Sequence, residues 1–259
     1  MDNIITGVKV VKSKNNSSED FLATVILRAL DDSHAVIGEA NAKHIGIFVG
    51  STLSNFFTRD SNIKRYYREE IREANPAEVP KNLLSYLGGY LSIKLNIQGA
   101  INTLSSGCSS GVDALIQALY FLKRHSLNKA VVVELEESLS SRLGGVAGAS
   151  CFILENSSAR GRKKCYGKIE VIEAFFEKEG EDYGLSQAIN KIIGKYRLSF
   201  QNINFVFGGL SSLADALKLK SSLNFLSKTS SAILFMNLGH NSNSSCGIIR
   251  TLRLNKHEK

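Results

Sequence analysis

The side chains best suited to nucleophilic or acid–base chemistry are the four cysteines, Cys108, Cys151, Cys165 and Cys246, and the five histidines. No two cysteines form a C-x-x-C pair and no histidine clusters beside them, so neither a zinc site nor any other metal site is expected. Cys108 stands apart. It lies in Ile101-Asn-Thr-Leu-Ser-Ser-Gly-Cys108-Ser-Ser-Gly111-Val-Asp-Ala-Leu-Ile, where an apolar run enters small residues and then a helical pattern. Small neighbours let the backbone turn sharply and set the cysteine at a helix N-terminus. There, free N–H groups and the helix dipole stabilise a thiolate, and the same groups can hold the oxyanion formed when a thiolate attacks a carbonyl. The competing reading is an inert cysteine buried in a tight turn. Cys151 and Cys246 sit in apolar strand-like runs and read as core, whereas Cys165 follows a basic loop and is expected to be partly exposed. Asp113 lies about one and a half turns beyond Cys108 and reads as a structural hydrogen-bonding group.

An alternation of short β-branched runs and longer helical patterns must position that turn. Strands are expected at Ile4–Val11, His44–Val49, Gly99–Leu104, Ala130–Glu134 and Ala149–Leu154, and helices at Asp20–Leu30, Ile63–Ala74, Lys81–Leu95 and Ser110–Arg124. The alternation then repeats more briefly. Strands are expected at Lys168–Phe176, Asn204–Phe207, Ala232–Met236 and Cys246–Leu254, with helices at Leu185–Tyr196 and Leu213–Ser222. This order predicts an α/β fold of two packed halves with largely parallel sheets. The composition, 43% hydrophobic and 22% charged, excludes a disordered or fibrous chain. No apolar run approaches the roughly 18–20 residues of a membrane span, so no membrane association is expected. The opening Met1-Asp-Asn-Ile-Ile-Thr-Gly has no basic segment followed by a long apolar stretch, so a signal peptide is not expected and the expected location is cytoplasmic. The net charge of +8 comes from scattered lysines and arginines, densest at Arg160-Gly-Arg-Lys-Lys164. No recognition motif accompanies them, so an acidic protein partner is favoured over nucleic acid.

From Asn75 to Leu135 the sequence resembles the β-ketoacyl synthases, the condensing enzymes of fatty acid and polyketide synthesis. The resemblance rests on Asn75-Pro-Ala-Glu-Val-Pro-Lys, on Leu87-Gly-Gly-Tyr-Leu-Ser-Ile-Lys-Leu and on the turn Cys108-Ser-Ser-Gly-Val-Asp-Ala-Leu. It extends to Ile4-Ile-Thr-Gly-Val, Gly46-Ile-Phe-Val-Gly-Ser and Gly144-Gly-Val-Ala-Gly-Ala-Ser-Cys-Phe-Ile-Leu-Glu155. It implies a thiolase-like α/β fold over 1–259, with helices layered between two sheets, a half at 1–155 and a shortened second half at 156–259. No cofactor is implied, and Cys108 becomes the acyl-accepting nucleophile.

The second half departs from the family. Synthases carry one histidine in a His-Gly-Thr motif and a second, a little after a lysine, in a Gly-His-x-x-Gly-Ala-Ala-Gly motif. Here glycine stands in the first place, in Gly208-Gly-Leu-Ser-Ser-Leu, and the connection from Ser222 to Ala232 is too short for the second. Losing one such donor costs about 10²–10³-fold in rate, so condensation by the isolated chain is expected to be lost. Asn237-Leu-Gly-His240-Asn-Ser resembles the glycine-rich loop beside the family's cysteine. That makes His240 a candidate substitute base and Gly239 and Asn241 candidate substrate contacts, although a solvent-facing loop histidine is the competing reading. The resemblance therefore implies a chain-length-factor subunit that pairs with a complete ketosynthase, meets its acyl carrier protein and shapes the tunnel for the growing acyl thioester. The alternative is a stand-alone Cys108-dependent acyltransferase or thioesterase acting on carrier-protein or coenzyme A thioesters.

Overall fold

The computed structural model describes residues 3–12, 19–51, 79–136, 148–156, 165–176, 189–190, 192–195, 203–207, 210–224, 232–238 and 243–250. In chain order the elements are β1 (Asn3–Lys12), α1 (Glu19–Asp32), β2 (Ile45–Ser51), α2 (Tyr86–Leu95), β3 (Ile101–Leu104), α3 (Ser110–Lys123), β4 (Lys129–Glu136) and β5 (Gly148–Asn156). They continue as β6 (Gly167–Phe176), β7 (Ile203–Phe207), α4 (Leu210–Asn224), β8 (Ala232–Leu238) and β9 (Asn243–Arg250). The polar helix expected at Ile63–Ala74 and the basic run Arg160–Lys164 lie outside the described residues.

The strands form one nine-stranded sheet in the order β3-β2-β4-β5-β1-β6-β9-β8-β7. It is mixed, which corrects the expectation of largely parallel pairing. β2 runs parallel to β3 and β4, and β7 parallel to β8, while every other pairing is antiparallel. The reason is local: 11 residues separate β4 from β5 and 4 separate β8 from β9, fewer than the dozen or more that a parallel crossover takes, so each returns antiparallel. The order also exposes a duplication. Outward from the join, the first half reads β1, β5, β4, β2, β3 and the second reads β6, β9, β8, β7, with matching directions at each step. Among the described residues the second half has no counterpart of the outermost strand, β3.

Both faces of the sheet are covered. On one, α1 and α2 bury Leu22, Ile26, Leu87 and Leu91 against Ile47, Val131 and Ile153. On the other, α3 and α4 bury Leu115, Leu122, Leu213 and Leu217 against Phe48, Val132, Phe152 and Phe235. Covering on both faces explains why β2, β4 and β5 are continuous apolar runs rather than alternating ones. The halves meet where Asn3–Ile5 pair with Gly167–Ile169. There Asp32 Oδ2 accepts from the Val8 N–H at 3.0 Å and the Tyr166 hydroxyl at 2.8 Å.

Two further expectations change. The helix foreseen over Lys81–Leu95 begins only at Tyr86, because Pro80–Asn82 forms a short 3-10 turn and Leu83 is extended. It ends at Asn96, whose left-handed backbone (φ 53°) closes the helix by donating to Ile93 and Ser92 carbonyls. Cys165 is buried rather than partly exposed, because it enters the join beside β1. Cys151 is buried as expected, and burial pushes its thiol pKa up.

Candidate functional site

The site is built where β3 hands over to α3. Among the described residues Ile101–Leu104 pairs with β2 alone and forms one end of the sheet. After Ser105 and Ser106 the chain makes a single 3-10 turn, Gly107–Ser109, that carries Cys108 directly into the first residue of α3. Gly107 supplies the required left-handed backbone (φ 68°). The serines knit the turn together. Ser110 Oγ accepts from the Ser106 N–H at 2.8 Å and lies 2.6 Å from the Gly107 carbonyl and 3.2 Å from that of Ser51. Ser109 Oγ reaches the Ser106 carbonyl at 3.0 Å.

Two close approaches seat the helix on the sheet. A β-carbon at Gly50 would stand 2.5 Å from Gly111 N and from the Ser110 carbonyl, and one at Gly111 would stand 2.3 Å from Glu134 Oε1. The first turn of α3 therefore lies directly on β2 and β4. Two carboxylates surround it. Asp113 accepts from the hydroxyls of Ser106 and Ser109, the latter at 3.1 Å, which fits its expected structural role. Glu134, only 3% exposed, reaches up from β4, with Ser150 Oγ 3.5 Å from its other oxygen. Sequence reasoning missed Glu134, although one acid inside the apolar run Val131–Leu135 was the available signal.

Beside the turn, an open groove of about 460 Å³ is lined by Leu84, Thr103, Leu104, Ser106, Asp113 and Gln117. Leu84 in its lining is 40% exposed, and the neighbouring Leu83 and Ile101 are exposed apolar residues at 60% and 45%. The turn also contacts β8 and β9, so the second half reaches the turn that carries Cys108. Those strands flank residues 239–242. Gly239, His240 and Asn241 themselves lie outside the described residues. Among the described residues no group of three potential metal ligands exists, and no helix is long and apolar enough to cross a membrane.

A family model for the β-ketoacyl synthase N-terminal domain matches residues 12–165, more than half of the chain. The chain belongs to the β-ketoacyl synthase family. Curated relatives include a 3-oxoacyl-[acyl-carrier-protein] synthase 2 of Vibrio harveyi, 26% identical over 118 residues. A 3-oxoacyl-[acyl-carrier-protein] synthase homolog of Saccharomyces cerevisiae is 27% identical over 99 residues. These matches cover 46% and 38% of this chain but only 28% and 22% of the relatives' own lengths. Among solved structures, the ishigamide ketosynthase/chain length factor superposes with a TM-score of 0.80 at 11% identity, covering 97% of this chain and 100% of that one. A ketosynthase (ApeO) in complex with its chain length factor (ApeC) from Xenorhabdus doucetiae gives 0.66 at 12% identity, covering 97% and 98%. A β-ketoacyl synthase from Burkholderia phymatum gives 0.75 at 12% identity, covering 97% and 100%. The fold is thus the thiolase-like fold of ketosynthases.

Proposed function

We propose that this ketosynthase-like chain is a non-condensing subunit of the chain-length-factor type, with 1–155 and 156–259 as the two halves of one domain. One observation carries the reading. In the first half, residues 52–128 separate β2 from β4 and contain α2, β3 and α3. In the second half, residues 208–231 separate the matching strands β7 and β8, which pair directly in parallel. Beyond α4 that interval leaves only 225–231, too short for another strand and helix, and it contains no histidine. The two imidazoles that would stabilise the enolate of a malonyl thioester have no place on this route. The exposed edge of β3 with Ile101 and Leu83, together with the net charge of +8, supports pairing with an acidic, complete ketosynthase. Such a pair would bury roughly 2,000 Å² or more, meet an acyl carrier protein and bound an acyl tunnel, with no cofactor. Co-expression with a complete ketosynthase, followed by size-exclusion chromatography and product analysis, tests this. The expected results are a heterodimer and unimpaired product formation by the Cys108→Ala complex. Condensation of acyl and malonyl thioesters by the isolated chain overturns the reading.

A second reading is favoured by the contact of the Cys108 turn with β8 and β9, which flank 239–242. On that reading the chain is a Cys108-dependent acyltransferase or thioesterase with His240 as base and Gly239 and Asn241 at the substrate. Turnover of an acyl thioester by the isolated chain, with an adduct on Cys108 that disappears in Cys108→Ala, would establish it in place of the first.

A further inference from the structure

The groove beside β3 carries a charge that the chain itself does not answer. Asp113, half-buried in the lining, receives the hydroxyls of Ser106 and Ser109 on one oxygen, Oδ2. Its other oxygen, Oδ1, meets no donor and no cation among the described residues. β3 carries no ionisable side chain. Lys123 and Arg124, at the far end of α3, lie about three turns away, and the Arg124 guanidinium sits over the Tyr120 ring. One turn beyond Asp113, Gln117 Oε1 accepts from Asn102 and keeps a second lone pair. Ser105, also in the lining, is exposed. Leu84, Leu104 and Ile116 make the apolar part of the wall. The exposed apolar residues Leu83 and Ile101 continue that surface along β3, which pairs only with β2 among the described residues.

This lining restricts what can fill the groove. A partner that closes over the outer side of β3 takes Asp113 out of water, and a carboxylate buried without a counter-charge is strongly disfavoured. An acyl chain or an apolar side chain brings no such charge. A lysine brings one compact, strongly hydrated ammonium. An arginine brings a planar fork of five donors for Asp113 Oδ1, Gln117 Oε1 and Ser105 Oγ, on a stem suited to apolar walls. We propose that the groove receives an arginine side chain of the partner ketosynthase, with its guanidinium on Asp113 and its stem against Leu84, Leu104 and Ile116. The inference rests on the reading of the chain as a subunit that pairs with a complete synthase, and it names what this face selects in that partner. Overall charge draws a chain of +8 to an acidic subunit, while the local negative charge fixes the register. A second copy that offers no cation at this point is rejected by the unpaired carboxylate.

The test is the rate of subunit exchange in the co-expressed heterodimer, read by mass spectrometry after an excess of isotope-labelled chain is added. Asp113→Asn keeps an acceptor for both serines and is expected to speed exchange by about 30-fold or more. Each arginine of the synthase is then replaced by glutamine in turn, with wild-type chain and with Asp113→Asn. One of them is expected to speed exchange of the wild-type chain by a similar factor and to add less than about threefold to Asp113→Asn. If Asp113→Asn does not fold, Leu84→Lys decides, because Leu84 is 40% exposed and lies outside the Cys108 turn. It sets a like charge at the groove, so it should speed exchange by about tenfold, and the loss of the same arginine should remove that effect. A stable heterodimer in which no arginine couples to Asp113 or to Leu84→Lys refutes the arginine and leaves the pairing intact. A chain that forms no complex with a synthase refutes the pairing, and the arginine with it. A homodimer of the isolated chain that Asp113→Asn weakens gives the groove to a second copy and overturns the proposal.

Discussion

Replacing Gly50 by alanine tests how the Cys108 turn is seated. The new β-carbon would stand 2.5 Å from Gly111 N, the Ser110 carbonyl carbon and the Ser110 carbonyl oxygen. All three are backbone atoms at the start of α3, so no rotamer change relieves the contact. Ordinary contact needs at least 3.4 Å, so helix and strand must separate by about 0.9 Å along that line. The separation would loosen the contacts of Glu134 with the first turn and of Ser110 with the Ser51 carbonyl. Overpacking against a rigid backbone falls at the upper end of the usual range, about 3 kcal/mol. For a chain of this size that lowers Tm by about 6–12 °C. Gly38→Ala is the matched control, since nothing lies within 4 Å of a β-carbon there and its backbone is not left-handed. Thermal and urea unfolding of the two variants beside wild type make the measurement. If Gly50→Ala unfolds within about 0.5 kcal/mol of Gly38→Ala, the helix is not held against β2 as described and the argument is refuted.

Adjacent glycines in α2 should respond in opposite directions. Gly88→Ala would push a β-carbon to 2.6 Å from Thr103 Oγ1 and cost about 1–3 kcal/mol, whereas Gly89→Ala meets nothing within 4 Å and should stabilise by about 0.5–1 kcal/mol, both read from urea midpoints. Asp20 bonds Lys94, and these hydrogen bonds, with help from the Tyr90 hydroxyl, hold its carboxyl below the ordinary 3.8. Because the folded value is depressed, the contribution is complete above 3.8 and fades as pH falls through the folded midpoint. A carboxyl NMR titration should find that midpoint below 3.8 in wild type and nearer it in Lys94→Met.

Much of this was legible because the apolar runs report burial on both faces. Ala130–Glu134 and Ala149–Leu154 read as strands from the apolar runs alone, and the small-residue turn at Gly107-Cys108-Ser109 drew attention to the site. Strand direction was not legible, since β4 and β5 are apolar whichever way they pair, and only the shortness of the connection between them favours the antiparallel return. Pro80 marks a helical turn, but α2 waits until Tyr86 because the chain is extended at Leu83. The reach of Glu134 into α3 depends on two glycines on separate elements, Gly50 and Gly111, a coincidence no local pattern records.

The position of β1 inside the sheet governs the order in which this protein can assemble. Asn3 pairs with Asn156 on one side and Ile169 on the other, so β1 has no partner until residues 148–176 have been made. At ordinary rates of synthesis that is a wait of about 10–30 s, during which the strand carrying Ile4, Ile5 and Val8 has neither of its strand partners. Closing contacts so distant in sequence is also intrinsically slow. The register on both sides is therefore more than architecture. It is expected to make the growing chain a client for holding chaperones, and it ties completion of the Cys108-bearing half to arrival of the other.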